Sequence, residues 1–497
     1  MSNGQAADVK DIPSLPLEDF LESITEAVEH GLRISSFFGQ PLSGDRVRLW
    51  AVLSHDSRSH LLVLRTDLDR DSYPAITPHC TQAHLFEREI WEQFGVKPEG
   101  HPWLKPVRFQ PPFEDAESGQ EDGYAKIGVT DFFRVEGEEV HEVAVGPVHA
   151  GIIEPGHFRF QCHGEDVFHL EISLGYQHRG IERRLFGGPD LRTIHYMETL
   201  AGDTTIGHTL AYCELLEALT ETQAPARSQV LRAIALELER MANHIGDLGA
   251  ISGDVGYLPT LSYCGRIRGD VLNMTALICG NRFGRGLIRP GGIGFDIDAA
   301  MRDDLLGRIR AVERDLDVAV NLLWKTSSVM ARLEGTGALT RETCDEIGLV
   351  GPAARACGAD RDIRRDMPHG IFQLAQIPVS TWNSGDVFAR GYVRWLEIQR
   401  SAAFVCEQLR SLPGGLVRSE VPPLKPGRLA VCLVEGWRGE ICHVALTDDR
   451  GRFARYKVVD PSFHNWFGLA LALRDQQISD FPLCNKSFNL SYCGHDL

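Results

Sequence analysis

The chain has 497 residues and 12 cysteines, yet no two of those cysteines are spaced as Cys-x-x-Cys. That absence excludes a zinc ribbon, a thioredoxin-type redox pair and a cluster-binding loop built on such pairs. Basic charge is also scarce. Lys and Arg number 51 against 68 Asp and Glu, for a formal net charge of −17. Neutralising phosphates needs a basic face, so nucleic acid is not an expected partner. No apolar run approaches the about 18 residues that cross a bilayer. The best candidate, Phe463–Ala472, is short and interrupted by His464 and Asn465. A membrane connection would therefore run through other subunits. The N-terminus MSNGQAADVKDIPSLPLEDF has neither a basic n-region nor an apolar h-region, so no signal peptide is expected. The cysteines are then expected to be reduced thiols in a cytoplasmic protein.

What is present is ordinary globular composition, 43% hydrophobic and 24% charged. The length suggests about three domains at ~150 residues each. Acidic charge concentrates in Glu114–Glu142, where ten acids face only Lys126 and Arg134. Four glycines interrupt this run and Gln110-Pro111-Pro112-Phe113 precedes it. It reads as a solvated connector, with a strand near Asp131–Val135. The expected organisation is a domain over 1–112, an acidic linker over 113–142 and a domain over 143–497.

In the first domain, Leu17–His30 has helical spacing, Arg46–Ser54 and Ser59–Asp67 alternate as strands, and His84–Phe94 reads as a helix. The second opens with β-like segments at Val143–Val148, Gly156–Cys162 and Phe168–Leu174. Helices are expected over Val230–Leu248, Met301–Leu333 and Asp386–Leu412, the last stopped by Pro413-Gly414-Gly415. Strands return at Leu429–Glu435, Glu440–Thr447 and Arg452–Val459. The fold class is α+β: a small α/β N-terminal domain, then a mainly helical bundle domain with small antiparallel sheets.

Several groups could carry chemistry. His149, His157, His163, His169 and His178 fall within thirty residues, but their spacing matches no i, i+4 metal pair and no HExxH occurs. They read as loop or pocket histidines, one of which could meet a ligand. Gly280–Gly294 lacks both phosphate-loop patterns and reads as a tight turn. Arg355, Arg361, Arg364 and Arg365 lie among Asp360, Asp362 and Asp366; a solvated network and an arginine facing a buried pocket both remain open. Glu182, after His178-Arg179-Gly180, could relay protons if buried. The residues alone assign no reaction.

Longer stretches carry a resemblance. Phe86–Val96 with Glu99-Gly100-His101-Pro102 resembles the signature of the 30 kDa-type peripheral-arm subunit of respiratory complex I. Gly146-Pro147-Val148-His149, Glu154–Arg159 and Tyr176–Glu182 resemble the opening of the large subunit of membrane-bound nickel–iron hydrogenases and of their relative, the 49 kDa-type complex I subunit. Gly351-Pro352 to Arg355, Gly358, Asp362–Arg364, Leu412–Gly415, Asn465-Trp466 and Asp480–Leu483 extend the likeness in colinear order. The fusion of both parts resembles the large subunit of formate-hydrogenlyase-type enzymes.

The departures from that pattern set the expectations. Nickel–iron large subunits hold their metals with two Cys-x-x-Cys pairs. Against the motif histidine aligned with His208, Ala201 and Thr204 stand at the first pair; Ser491 and Gly494 stand at the second, with Cys493 one place out of register. Soft thiolates hold such centres, so no nickel–iron centre, no metal site and no hydrogenase activity are expected. The complex I relative uses the corresponding cavity for quinone. The resemblance places its quinone-facing histidine at His157, with His149 the alternative, and its tyrosine near Gly202–Asp203, where no tyrosine stands; Tyr196 is not equivalent. Asp203 is the replacement carboxyl, its pKa to be raised by burial toward the working pH. Asp203 and Glu182 are thus the proton-transfer candidates, and His149, His157, Asp362, Arg364 and Ser491 the cavity candidates.

The resemblance further implies a peripheral place on the cytoplasmic face of the inner membrane. The partners would be a small iron–sulfur subunit carrying the clusters, and antiporter-like and quinone-site-like membrane subunits. This chain would carry no cluster, with quinone as a candidate ligand. A quinone-reducing subunit of an NADH–quinone oxidoreductase-type complex, with its associated NAD binding, is one alternative. A scaffold with a vestigial cavity is the other.

Overall fold

Leu17, Phe20, Leu21 and Ile24 recur at helical steps and are all buried, which fixes the inner face of α1 (Leu17–Glu29). In the computed structural model, residues 1–43, 46–69, 71–113, 132–150 and 153–497 are described. A short strand, β1 (Gln5–Asp8), precedes α1. The helix packs on a three-stranded antiparallel sheet of β2 (Arg33–Pro41), β3 (Val47–His55) and β4 (His60–Leu68). A parallel pair, β5 (Ser72–Pro74) with β6 (Lys97–Glu99), brackets α2 (His84–Phe94).

Helix α2 buries acids where apolar residues would be expected, and each has partners. Glu87 accepts from the backbone of Ile76 and Thr77 and from the Thr77 hydroxyl. Glu92 accepts from the N–H of Val107 and Arg108. Glu89 pairs with Arg108 and with Lys457, far along the chain. The helix therefore works as a peg that orders two loops and reaches the C-terminal half.

That half begins with the antiparallel strands β7 (Val140–Val145), β8 (His157–His163) and β9 (Asp166–Ser173). Short helices α3 (Ile181–Arg184) and α4 (Thr193–Met197) lead into α5 (Thr205–Thr220), α6 (Ala226–Asp254) and α7 (Leu258–Cys279). A hairpin of β10 (Ile288–Arg289) and β11 (Gly292–Ile293) precedes α8 (Ala299–Trp324). Then come α9 (Ser327–Leu333), α10 (Arg341–Ile347), α11 (Gly351–Ala356), α12 (Ile363–Asp366) and α13 (Val387–Arg410). The chain closes with β12 (Arg428–Gly436), β13 (Gly439–Thr447), β14 (Phe453–Val459), α14 (Pro461–Ala472), α15 (Phe481–Phe488) and α16 (Tyr492–Asp496). Helix α6 is the bundle's axis, packed by α7, α13 and α15.

The fold class is the expected α+β arrangement. β1 pairs antiparallel with β12, so the N-terminus enters the C-terminal sheet, in the order β1-β12-β13-β14. One apolar core runs from Phe20, Phe37 and Trp50 to Leu429, Val431, Val444 and Phe463. The expected helix Met301–Leu333 breaks at Lys325-Thr326. The expected strand at Val143–Val148 lies slightly earlier, at Val140–Val145. Most of the acidic connector lies outside the described residues, Asp131 included. The described part, Phe132–Val135, forms no strand, its amides at Phe133 and Val135 donating instead to the side chains of Glu171 and Gln161. The glycine run after α7 is a tight turn: a Cβ on Gly291 or Gly292 would lie 2.2 or 2.1 Å from the carbonyl oxygen of Ser419 or Val417.

Candidate functional site

Asp203 stands just before α5 with φ 55°. Its carboxylate accepts from Arg268 Nη2 at 2.6 Å and is 38% exposed. The sequence reading expects a buried carboxyl here; the structure corrects this, leaving it partly exposed and paired with Arg268. The raised carboxyl is instead Glu239, one helix away. It accepts from the N–H groups of Ile206 and Gly207 at 2.6 and 3.1 Å, capping α5. Burial, with help from the Asp203 charge, lifts Glu239 to about 8.

Glu182 is buried but does not adjoin Asp203. It accepts from Val458 N–H and pairs with Arg455 and Lys457 at 2.8 and 3.0 Å. Burial pushes its carboxyl up, but the Lys457 and Arg455 charges outweigh that and hold it below the usual carboxylate range. An acid held ionised in this way is a poor proton donor near neutral pH. Here too the structure corrects the sequence expectation.

The expected thiolate stretches do meet in space. Arg438, in the turn between β12 and β13, bridges them. Its Nη1 donates to Gly202 O at 2.9 Å and to Thr204 Oγ1 at 3.2 Å, and its Nε donates to Asn489 O at 2.5 Å. The guanidinium lies 3.8 Å over the Trp437 ring. Ser491 caps α16, its Oγ accepting from Gly494 N–H at 2.9 Å, while its own N–H donates to Ser462. His208 is fully buried between His443 and Asp460, at 3.1 and 2.9 Å. Burial and the neighbouring His208 keep His443 neutral, well below its ordinary value.

The five histidines do not gather; among the described residues no three metal-ligating side chains do. His149 and His157 brace one loop reciprocally. His149 Nε2 donates to Gly156 O at 2.9 Å and His157 Nδ1 to Gly146 O at 3.2 Å. His149 alone of the proposed residues lines a mainly apolar cavity of about 340 Å³. Phe158, Phe160 and Phe481 form its walls, and Asp254, Lys486 and Tyr492 supply polar groups. Burial raises the carboxyl of Asp254, Lys486 opposing, and raises the phenol of Tyr492. Asp254 and Tyr492 were missed from sequence. Tyr492 sits inside the C-terminal stretch read for its missing cysteines, and Asp254 ends α6 without a motif around it.

Asp362 and Arg364 are brought together. Asp362 caps α12 and takes both Nε and Nη2 of Arg364, at 2.9 and 2.5 Å. The arginine-rich segment thus divides: Arg355 and Arg364 are buried, while Arg365 pairs with exposed Asp360 at the surface.

Comparison with known proteins fits this arrangement. The family model for the 30 Kd subunit of respiratory-chain NADH dehydrogenase matches residues 16–116, and that for the 49 Kd subunit matches residues 254–430. The chain is 30% identical to the carbon monoxide-induced hydrogenase of Rhodospirillum rubrum over 351 residues, 70% of this chain and 97% of that one. It is 28% identical to formate hydrogenlyase subunit 5 of Escherichia coli K12 over 455 residues, 86% of this chain and 78% of that one. Against an NADH-quinone oxidoreductase subunit of Solibacter usitatus, identity is 27% over 322 residues, 64% and 86% of the two chains. No described helix is long and apolar enough to cross a membrane.

Proposed function

Because this chain belongs to the hydrogenase-related, complex I-like family that fuses the 30 kDa-type and 49 kDa-type subunits, we propose that it binds an electron acceptor of quinone type without holding a nickel–iron centre. One observation carries the reading: His149, Asp254 and Tyr492 converge on a mainly apolar cavity of about 340 Å³. Flat, apolar, reducible rings suit such a cavity, and a few polar groups orient them. Tyr492 and Asp254 each hold a proton that reduction of the ring would draw, and burial raises both toward the protonated form. His149 is fixed by Gly156 O at the cavity wall.

The residues at the former metal positions do not fit a nickel–iron centre. Ala201 and Gly494 offer no donor, and the Ser491 hydroxyl is engaged with Gly494 N–H. The Arg438 cation spans the same two stretches. Electrons would enter from an iron–sulfur cluster of a small partner subunit, and membrane subunits would anchor the assembly at the cytoplasmic face of the inner membrane.

The test is made on the native complex. Reduction of a water-soluble quinone should fall roughly 100-fold in Asp254→Asn and in Tyr492→Phe, the scale of a lost general acid. Unchanged turnover in both variants would leave the cavity vestigial and the chain a scaffold.

A further inference from the structure

Two of the 12 cysteines meet in space. Cys344 sits on α10, and Cys357 directly follows α11. Gly348 ends α10 in the left-handed region, at φ 71°, and so turns the chain between them. One carbonyl then serves both residues. Ala354 O accepts from Cys357 N–H at 3.0 Å and lies 4.0 Å from Cys344 Sγ. A hydrogen bond joins the two sulfurs, with Cys344 donating. Cys357 Sγ in turn donates to Ala353 O at 3.4 Å. Cys344 is fully buried and Cys357 is 3% exposed.

Three guanidiniums surround the pair. Arg361 Nη2 lies 3.9 Å from Cys344 Sγ, and Arg361 Nε is buried without a hydrogen-bond partner. Arg341 donates to the carbonyl of Gly358, the residue after Cys357. Arg390, on α13, is fully buried, and among the described residues no carboxylate pairs with it. It donates to Ser487 Oγ and to the carbonyls of Gly337 and Gly385. Asp345 opposes these charges, pairing with Arg341 and Arg361 at 2.5 and 3.1 Å. Cations beside a thiol favour its thiolate, which is the reactive form. The hydrogen bond from Cys344, aided by the Arg390 and Arg341 charges, outweighs burial and pulls the Cys357 thiol below its ordinary value. That same bond, with burial, holds Cys344 up. Burial raises every other cysteine of the chain.

We propose that Cys344 and Cys357 form an oxidation site, at which a peroxide converts the two thiols into a disulfide. The Cys357 sulfur attacks one peroxide oxygen. An S–O bond forms, the O–O bond breaks, and the departing hydroxide takes a proton and leaves as water. The Cys344 sulfur then attacks Cys357, forming the S–S bond and releasing the second oxygen as water. The thiols lose two electrons and two protons in all, and one peroxide becomes two waters. The narrow opening at Cys357 suits an oxidant little larger than water. The pair also brackets a corner with two contacts. On one side, Gln82 Nε2 of the N-terminal part donates to Asp345 O at 3.0 Å. On the other, Gly351 lies against the Arg438 turn, where a Cβ would come 2.2 Å from Arg438 O. The new bond would staple this corner between the N-terminal part and the Arg438 bridge. The proposal does not rest on the acceptor reading above.

The experiment treats the full chain, reduced and then freed of reductant, with hydrogen peroxide. Alkylation after denaturation should count two thiols fewer than the 12 of the sequence, and dithiothreitol should restore them. A non-reducing peptide map should place that loss in one Cys344–Cys357 link, two hydrogens lighter than the free pair. In Cys344→Ser the resolving sulfur is gone, so Cys357 should stop at the sulfenic acid and take up dimedone. Should that variant fail to fold, the map of the unmodified chain decides alone. A full set of free thiols after peroxide overturns the proposal. So does a first loss at any other cysteine, the partly exposed Cys493 included, while Cys344 and Cys357 stay free. A folded Cys344→Ser whose Cys357 takes no dimedone overturns it as well.

Discussion

Arg438 donates through Nη1 to the carbonyl of Gly202 at 2.9 Å, and so ties the β12–β13 turn to the loop before α5. The same guanidinium reaches Asn489 O, so one side chain ties three segments together. A buried fork with fixed donors can do this; a flexible ammonium cannot reproduce it.

Arg438→Ala should lower stability by about 3 kcal/mol, because it leaves two carbonyls and the Thr204 hydroxyl with fewer donors. Arg438→Lys should recover less than half. Urea unfolding of both variants measures this, and a loss under about 0.5 kcal/mol in Arg438→Ala would remove the bridge from the account.

Metal analysis of the purified chain should find no stoichiometric nickel, and chelator treatment should leave its unfolding midpoint unmoved. Thiolates or imidazoles are needed to hold such an ion, and Ala201, Thr204, Ser491 and Gly494 supply neither.

Acid should destabilise the protein in two stages. Burial holds His84, His443 and His464 below 6.5, so the unfolded chain takes up their protons first, and stability is lost as pH falls through that value. Glu182 and Glu397 are held below 4.5, chiefly by Lys457 and Arg455 in one case and by Arg355 and His244 in the other, against burial. Their contribution is complete above 4.5 and lost as pH falls through the lowered folded values. Glu239 has the opposite sign: its folded value of about 8 makes it a cost at high pH, relieved as pH falls from 8 toward 4.5. Glu239→Gln should therefore match or exceed the parent in stability above about pH 8, as urea titrations across pH would show.

Gly351→Ala should destabilise by more than about 1 kcal/mol. Gly351 has φ +67°, and a Cβ there would lie 2.2 Å from Arg438 O. The variant should also weaken the Arg438 bridge, so combining it with Arg438→Ala should cost less than the two changes measured separately.

The elements with one wet face were legible in the sequence. Helix α1 shows its apolar stripe because only that stripe is buried, and α2 shows its boundaries through the glycine at 95, with φ 70° at its C-terminus. Helix α5 escaped notice because nearly every residue is buried, leaving no polar face to set a period. Helix α7 escaped because Gly265, Gly269 and scattered polar residues blur its stripe. The site divides similarly. Ala201, Thr204, Ser491 and Gly494 could be read as missing ligands by position alone. Arg438, Asp254 and Tyr492 could not, since their importance lies in partners far along the chain.

By itself, the sequence determined the fold class, the two joined ancestral parts and the absence of any Cys-x-x-Cys pair, because these depend on local period, colinear motifs and composition. Tertiary structure alone decided that Asp203 is partly exposed and paired with Arg268, that the buried Glu239 takes a raised pKa, and that Glu182 is held ionised. Charge state follows from burial and from which opposite charges stand within a few ångströms, and neither is written in the order of residues.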